Sequence, residues 1–367
     1  MKIDRIEAIP YSIPYTHPLR FASGEVHAAE HVLVRIHADN GLVGVADTPP
    51  RPYTYGETQA SIVSVLNGIF APQLIGLDPL DRQKAHHVMA RTVNNPTAKG
   101  AVDIALWDLV GKFFGAPVHK LLGGYAEGMR VSHMLGFRPA PELLEEALRF
   151  RDDYGVTTFK LKTGRRPLSL DVEAVRVLRE GLGEDAEIYL DANRGWTANE
   201  AREVLRHTEG LGLMMLEEPC DAAEALGRRR LVQHSPIPIV GDESVPTPGD
   251  VARELLSGGC TAVCIKTARS GFTEAGEILS LCTGLGVDVT MGNQIDTQIG
   301  SLATVTFGAA HEATQRRAGE LSNFLDMADD IIAEPIEIRN GAILVPQAPG
   351  VGAEIDEDKL AHYRQDS

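Results

Sequence analysis

Short apolar segments that end in a charged residue recur through the middle of the chain. Five of these segments end at Lys162, Asp191, Glu217, Asp242 and Lys266, so successive ends are 29, 26, 25 and 24 residues apart. Each interval has room for one strand, a loop and a helix, which is the repeat of a parallel βα fold. We therefore predict parallel strands whose polar ends converge on one face of a sheet or barrel.

Further apolar segments extend this series in both directions. Residues 131–135 form the expected first strand, with a helix at about 141–154, and residues 288–292 and 318–321 form the seventh and eighth strands. Eight strands within about 200 residues favour a closed βα barrel, and an open doubly wound sheet is the alternative.

The two ends of the chain have a different pattern. Apolar and polar residues alternate at 3–13 and 31–37, which predicts antiparallel strands. Apolar residues at helical spacing predict a helix at 98–114, and residues 119–124 are interpreted as a linker. The tail returns to strand-like segments within 337–345 and is expected to pack against the N-terminal region.

The composition is that of an ordinary globular protein. The 367 residues are 43% hydrophobic and 23% charged, which suffices for one large barrel and a smaller domain. The net charge of −16 argues against nucleic acid or an anionic membrane as a partner. It does not exclude an anionic small molecule, because a local site can be cationic within an acidic protein.

Cysteine usage and the lack of long apolar runs favour the cytoplasm. The four cysteines show no Cys-x-x-Cys spacing, and Cys264 lies in an apolar strand, where a small buried thiol is expected rather than a ligand or nucleophile. The N-terminus has no apolar signal core, and no apolar stretch approaches ~18 residues. We therefore expect neither a signal peptide nor a transmembrane helix.

Three of the converging strand ends are acidic. Asp191, Glu217 and Asp242 follow consecutive predicted strands. One acid at a strand end is commonly a helix cap or a surface ion pair, but three gathered at one point repel each other unless a cation binds them. Hard carboxylate oxygens suit Mg²⁺ or Mn²⁺, with positions left for water or substrate oxygens. The sequence therefore predicts a divalent-metal site.

Lysines flank this acidic cluster. Lys160 and Lys162 lie two apart on one strand and so point to the same face, while Lys266 arrives from another strand. One inward lysine can act as general acid or base, with a pKa lowered by its neighbour, and the second can hold a substrate carboxylate. Two lysines across a bound carboxylate can handle a proton on either face of the α-carbon.

One apparent motif is set aside. The segment His27-Ala28-Ala29-Glu30-His31 matches the zinc-protease pattern H-x-x-E-H, which requires a helix of several turns. Here it runs directly into the strand predicted at 31–37. We interpret it as part of a mobile substrate loop and not as a zinc site.

These residues carry a resemblance to a known family over essentially the whole chain. The chain resembles the enolase superfamily and, within it, the muconate lactonizing enzyme subgroup. The motifs that carry the resemblance are Ala101-Val102-Asp103-Ile104-Ala105-Leu106-Trp107-Asp108-Leu109, Leu121-Leu122-Gly123-Gly124, Lys160-Leu161-Lys162, Asp191-Ala192-Asn193, Glu217-Glu218-Pro219, Gly241-Asp242-Glu243-Ser244 and Ile265-Lys266.

The resemblance implies a fold and a set of partners. The fold is a modified TIM barrel, (β/α)₇β, at residues 126–335, under an α+β capping domain formed by residues 1–125. The C-terminal segment 336–367 is expected to pack on this capping domain. Mg²⁺ or Mn²⁺ is the implied cofactor, a small dicarboxylate the implied substrate, and a homo-oligomer, dimer or octamer, the implied assembly.

The resemblance also implies roles for the strand-end residues. Asp191, Glu217 and Asp242 would be metal ligands. Lys162 and Lys266 would be the acid/base residues, and Lys160 would assist at the substrate carboxylate. The step shared by the superfamily is formation and quenching of an enolate that a metal stabilises.

Features of the eighth strand narrow the activity. Dipeptide epimerases of the subgroup carry Asp-x-Asp there to bind an ammonium group, but this chain has Gly319-Glu320-Leu321-Ser322-Asn323. Glu320, together with the spacing of the other site residues, is similar to the muconate cycloisomerase branch. The run Met291-Gly292-Asn293-Gln294 and the residue Phe272 depart from that branch.

The expected activity is therefore that of a metal-dependent cis,cis-muconate cycloisomerase of aromatic catabolism. Lys162 is the first choice and Lys266 the second for delivering the proton. The alternatives are o-succinylbenzoate synthase or N-acylamino acid racemase on the same site, and, from a different class, a non-catalytic binding protein on a decayed barrel.

Six further residues are expected at the substrate. Asn193 and Glu320 come from the barrel. The far carboxylate of a dicarboxylate needs a cation or hydrogen-bond donors, and the capping loops offer Arg51, Tyr53, Tyr55 and His27. For each of these four, a surface position without a role in binding is the alternative.

Overall fold

The structure, a computed structural model, describes residues 1–21 and 24–366. The N-terminal region begins with an antiparallel sheet in which β1, β2 and β3 lie side by side in that order. Helices follow the sheet. The elements are β1 (Ile3–Phe21), β2 (Gly24–Ala38), β3 (Val43–Thr48), α1 (Gln59–Val65), a π-helical turn (Leu66–Phe70), α2 (Ala71–Leu74), α3 (Arg82–Met89), α4 (Pro96–Phe114) and α5 (Val118–Leu122).

The long helix α4 packs directly on the sheet. Its residues 97–98 and 100–106 are buried, because one side faces β3 and another faces the barrel. Gly44 of β3 permits this close approach, since a Cβ there would lie 2.1 Å from the backbone oxygen of Ala105. Packing of this kind transmits small displacements between the cap and the barrel.

Two sequence predictions for this region were wrong. The segment 27–31, interpreted from the sequence as part of a mobile loop, is strand, because it lies within β2 and β2 pairs with β1. The expected linker at 119–124 contains helix α5, which begins after Pro117 and buries Val118. Both elements depend on tertiary partners that short polar segments do not reveal.

The central βα repeat forms the barrel that the spacing predicts. Seven βα units follow one another, and an eighth strand comes last. They are β4 (Gly128–Leu135), α6 (Ala140–Tyr154), β5 (Thr158–Lys162), α7 (Ser169–Leu182), β6 (Glu187–Asp191), α8 (Ala198–His207), β7 (Leu213–Glu217), α9 (Ala225–His234), β8 (Ile239–Gly241), α10 (Pro248–Ser257), β9 (Ala262–Ile265), α11 (Thr267–Gly284), β10 (Asp288–Met291), α12 (Gln298–Ala310) and β11 (Gly319–Glu320).

The strand order closes the sheet on itself. Strands β4 to β10 are parallel neighbours in sequence order, and β11 pairs in parallel with β4 through Gly319 and Val131. Since β11 also packs beside β10, the sheet is a nearly closed (β/α)₇β barrel rather than an open doubly wound sheet. The expected fold is confirmed.

Side chains alternate along each barrel strand, and this alternation explains the site. In β5, Phe159 and Leu161 are fully buried in the hydrophobic core, whereas Lys160 and Lys162 reach the carboxylates at the ends of neighbouring strands. Polar residues therefore collect at the carboxyl-terminal mouth of the barrel, where βα-barrel active sites lie.

The C-terminal tail contacts both parts of the fold. It contributes β12 (Ala342–Leu344), which pairs antiparallel with β4, and α13 (Glu357–Tyr363). The backbone N–H of Val118 donates to Gly350, and the N–H of Val351 donates to the Asp108 carboxylate in α4. The expected strand at 337–339 is absent, because this segment lies outside the ladder that β12 forms with β4. The domain boundaries at 125 and 335 stay predictions.

Within residues 1–21 and 24–366, no helix is both long enough and apolar enough to cross a bilayer. The four cysteines are all buried and unpaired.

Candidate active site

Three acidic side chains meet at the mouth of the barrel, as the spacing predicts. Asp191 ends β6, Glu217 ends β7 and Asp242 follows β8 directly. Asp191 lies opposite Glu217 in the strand register, and Glu217 lies opposite Val240, two residues before Asp242. All three side chains are at most 1% exposed. Buried carboxylates this close are stable only with compensating positive charge.

The electrostatics of this cluster fit a divalent cation. Burial, together with the nearby Asp191 and Asp242 carboxylates, raises the pKa of Glu217 to about 8 despite the Lys160 ammonium. Glu217 is therefore the carboxylate of the cluster whose charge the protein's own cations offset least. All the donors are hard oxygens, the kind that Mg²⁺ and Mn²⁺ prefer. Such a cation, when bound, stabilises negative charge that develops on a carboxylate substrate.

Cys264 lies beside this cluster, and ligand atoms of Glu217, Asp242 and Cys264 are within 4.8 Å of one another. Burial, with the neighbouring Glu217 carboxylate, raises the pKa of the Cys264 thiol well above its usual value. A protonated thiol is a poor ligand for a hard cation. Cys264 therefore acts as the small buried side chain that the sequence predicts.

Lys160 lies within the acidic cluster. Its Nζ is 3.0 Å from Asp191 Oδ2, 2.9 Å from Glu217 Oε1 and 2.8 Å from Glu320 Oε2, and the residue is 1% exposed. Burial lowers the pKa of Lys160, but the three carboxylates outweigh burial and hold it well above its usual value. Its contacts are those of a fixed countercharge, and its role at the substrate carboxylate stays a prediction.

Lys162 lies two residues further along β5, at the carboxyl end of the strand. Its Nζ donates to Asp191 Oδ2 at 2.7 Å and to Asn193 Oδ1 at 2.8 Å. Asn193 also donates through Nδ2 to Glu243 Oε1 at 3.0 Å. The amide therefore fixes the position of the lysine amine relative to the β8 loop.

Lys266 faces Lys162 from the other side of the barrel. It follows β9, which is four strands from β5 in a ring of eight. Its Nζ lies 2.5 Å from Asp242 Oδ2. Burial lowers the pKa of Lys266, but the Asp242 carboxylate overcomes that effect, and the pKa is well above its usual value. Two ammonium groups thus border the acidic cluster from diametrically opposite strands.

A cavity of about 610 Å³ lies between the strand ends and the N-terminal cap. It is the right size for a small organic ligand. The predicted residues that line it are His27, Arg51, Tyr53, Tyr55, Lys162, Asn193, Lys266 and Glu320. The capping segments and the barrel therefore contribute to one cavity, as expected.

The segment 27–31 is strand, and so it is not the helix that a zinc-protease motif needs.

Sequence reasoning missed a buried ion pair behind the acidic cluster. Glu218 has a φ of 35°, is fully buried and accepts from Arg228 Nη1 at 2.6 Å and from the backbone N–H of Asp242 at 2.6 Å. Arg228 also donates to Ser244 Oγ and to the Gly259 carbonyl. The pair therefore fixes the main chain that carries Asp242. Only Glu218 gave a signal, as part of the Glu-Glu-Pro motif.

Removal of one partner of this pair should destabilise the fold strongly. Arg228→Met should lower the free energy of unfolding by about 3–5 kcal/mol, because Glu218 would remain charged and buried without compensation. The double variant Glu218→Gln/Arg228→Gln should recover a clear part of that loss. Urea unfolding measures both values. Arg176→Met, at an exposed pair with Glu173, is the control, and its effect should stay below about 1 kcal/mol. Equal losses for Arg228→Met and Arg176→Met would contradict the prediction.

Comparison with known proteins agrees with this geometry. Residues 5–123 match the family model "Mandelate racemase / muconate lactonizing enzyme, N-terminal domain", and residues 142–359 match "Enolase C-terminal domain-like". The chain belongs to the muconate lactonizing enzyme subgroup of the enolase superfamily. The family resemblance expected from the sequence motifs is thus confirmed.

Individual members of the superfamily are similar over nearly the full chain. The L-Ala-D/L-Glu epimerase of Bacillus subtilis is 30% identical over 359 residues, 96% of each chain. Muconate cycloisomerase 1-2 of Acinetobacter lwoffii is 29% identical over 377 residues, covering 100% of this chain and 96% of that one. The structure of a muconate lactonizing enzyme from Mycobacterium smegmatis complexed with muconolactone has a TM-score of 0.98 and 57% identity, with all of both chains covered. The chain is an enzyme of the isomerase class.

Proposed function

We propose that this enzyme is a cis,cis-muconate cycloisomerase that uses Mg²⁺ or Mn²⁺ and interconverts cis,cis-muconate and muconolactone. The observation that carries the proposal is the cavity in which lysine ammonium groups from opposite strands, Lys162 and Lys266, border an acidic cluster. The full-length similarity to a muconate lactonizing enzyme bound to muconolactone supports it.

The chain's own residues account for binding and orientation. A dicarboxylate with one end at the acidic cluster, beside a bound cation, has its other end under the cap. There Arg51 and Tyr55 line the cavity, and one terminal nitrogen of Arg51, Nη2, is buried without a partner among the described residues. A substrate carboxylate would satisfy that donor. Charge-assisted hydrogen bonds of this type are roughly twice as strong as neutral ones.

The chemical step requires one proton from the protein. In the lactonizing direction, an oxygen of the far carboxylate bonds to the conjugated double bond, and the electron pair of that bond moves toward the other carboxylate. A lysine Nζ, on Lys162 or Lys266, then gives its proton to the α-carbon and becomes a neutral amine. In reverse, the neutral amine removes the α-proton. The capping segments that line the cavity would limit the access of water to the intermediate.

The second candidate is dipeptide epimerisation, which the 30% identical relative favours. That activity needs a partner for the ammonium group of a dipeptide at the eighth strand. Here Glu320 is occupied by Lys160, and Ser322 Oγ lies 2.8 Å from His133 Nδ1. The strand therefore offers no pair of free carboxylates, and we place this function second.

The purified protein with Mn²⁺ should bleach the ultraviolet absorbance of cis,cis-muconate, since lactone formation removes the conjugated diene. EDTA treatment should abolish the bleaching. The matched control is Lys84→Ala, at an exposed lysine of α3, which should keep the wild-type rate. No bleaching at high enzyme concentration, together with epimerisation of L-Ala-L-Glu or turnover of an N-acylamino acid or the succinylbenzoate precursor, would contradict the proposal.

A further inference from the structure

Arg269 joins the cap to the acidic cluster. It is 2% exposed, and its Nη1 donates both to Asp242 Oδ1 at 2.9 Å and to the Tyr55 hydroxyl at 3.0 Å. Its Nη2 donates to the Cys264 carbonyl at 2.9 Å, which anchors the guanidinium to β9. A single buried side chain thus contacts a predicted metal ligand and a residue of the capping segment 214 positions away in sequence.

The turn that carries Arg269 is held rigidly. The helix α11 is interrupted at Gly271, which has a φ of 60°. Asp103 of α4 accepts from the backbone N–H groups of Phe272 and Thr273 at 2.6 and 2.9 Å, and so caps the helix after the interruption. A Cβ at Gly271 would lie 2.4 Å from Asp103 Oδ2. Because Asp103 lies in α4 of the N-terminal region, the turn that carries Arg269 is attached to the cap as well as to β9.

The Tyr55 hydroxyl is held from two sides. It accepts from Arg269 Nη1 and from Gln294 Nε2, each at 3.0 Å. A phenolic oxygen with two incoming donors has its own hydrogen left to donate, and Tyr55 lines the cavity beside Lys266. The position of Tyr55, and therefore of the capping segment, depends on the same guanidinium that orients Asp242.

We propose that Arg269 is a positioning residue that couples the seating of the cap at Tyr55 to the orientation of the Asp242 carboxylate, so that cap closure and divalent-cation binding strengthen each other. This inference rests on the proposed cation site and not on the identity of the organic substrate. Coupling between two sites is reciprocal, and each site typically changes the affinity of the other by roughly 5- to 150-fold.

Mn²⁺ affinity, measured without substrate by the electron paramagnetic resonance signal of free Mn²⁺, tests the coupling. Tyr55→Phe should weaken Mn²⁺ binding about 5-fold although Tyr55 contacts none of the three carboxylates. Arg269→Lys should weaken it by about 10- to 100-fold, the usual effect of changing a group that orients a metal ligand. In the double variant, Tyr55→Phe should have no additional effect, because its connection to Asp242 is already lost.

Controls separate this coupling from a general loss of structure. Tyr125→Phe changes an exposed tyrosine that does not line the cavity and should leave the Mn²⁺ dissociation constant unchanged. Because Tyr55→Phe removes one oxygen only, its Tm should stay within a few degrees of wild type. If wild type binds Mn²⁺ and Tyr55→Phe binds it equally well, or if the two effects add in the double variant, the coupling is wrong while the cation site stands. Absence of Mn²⁺ binding by wild type would overturn both.

Discussion

Glu217→Gln should remove cation binding and turnover together, with kcat/KM on cis,cis-muconate falling at least about 10³-fold, because a bound cation supplies several kcal/mol of charge stabilisation. Glu217 lies between Asp191 and Asp242 in strand order, so its loss divides the predicted ligand set. An amide is nearly isosteric with the carboxylate but carries no charge. Mn²⁺ titration and the ultraviolet assay measure the two losses in the same preparation.

Stability separates this result from simple unfolding. Three carboxylates repel each other in the cation-free protein. Glu217→Gln should therefore leave the Tm of the cation-free protein unchanged or raise it, although Lys160 loses one partner. Glu173→Gln, at an exposed acid of α7, should change neither cation affinity nor rate. If Glu217→Gln kept wild-type Mn²⁺ affinity, Glu217 would not be a ligand, and the predicted metal site would have to be abandoned.

The residues at the strand ends were predictable because burial leaves them few alternatives. Asp191 and Glu217 each follow a run of apolar residues, and a charge at that position reaches either solvent or a shared polar cluster. The even spacing excludes independent surface positions, since parallel strands bring all their carboxyl ends to one edge. The same argument places Lys162 and Lys266 at the mouth, where the structure has them.

The residues that hold this cluster in place were not predictable from pattern. Tyr55 and Arg269 are 214 residues apart, and Gln294 comes from a third segment. No periodicity links them, because their contact depends on how the cap sits on the barrel. Arg228 is a similar case, because a charged residue in a helix is expected at the surface until its burial is known. Positions of this kind follow from tertiary packing and not from local propensity.

Lys160 illustrates the intermediate case. Its place on the inner face of β5 follows from the two-residue period of a strand, and the structure agrees. Its immediate surroundings do not follow, because they depend on Glu320 from the strand that closes the barrel. With three carboxylate partners within 3.0 Å, the amine is held as a countercharge, whereas Lys162 and Lys266 line the cavity.

Methionine at Lys162 and at Lys266 should have clearly unequal effects on cis,cis-muconate turnover. Cycloisomerisation needs a single proton on one face of the α-carbon. Only the lysine that delivers this proton therefore contributes the full rate enhancement of general acid catalysis, roughly 10²–10⁴-fold. The other lysine contributes charge and position, and its loss should raise KM more than it lowers kcat. Methionine retains most of the length of the side chain and removes only the ammonium group.

The inequality distinguishes the two kinds of chemistry that this barrel mouth permits. A racemase or epimerase uses one base on each face, so Lys162→Met and Lys266→Met would both abolish turnover to a similar extent. Kinetics of the two variants, with Mn²⁺ affinity measured in parallel, therefore decide between one-lysine and two-lysine mechanisms. Because Lys162 contacts Asp191 and Lys266 contacts Asp242, each variant also changes the environment of a predicted ligand. If both variants keep the Mn²⁺ affinity of wild type, the loss of turnover is assigned to proton transfer. If the two variants lose turnover equally, the assignment changes from cycloisomerase to racemase.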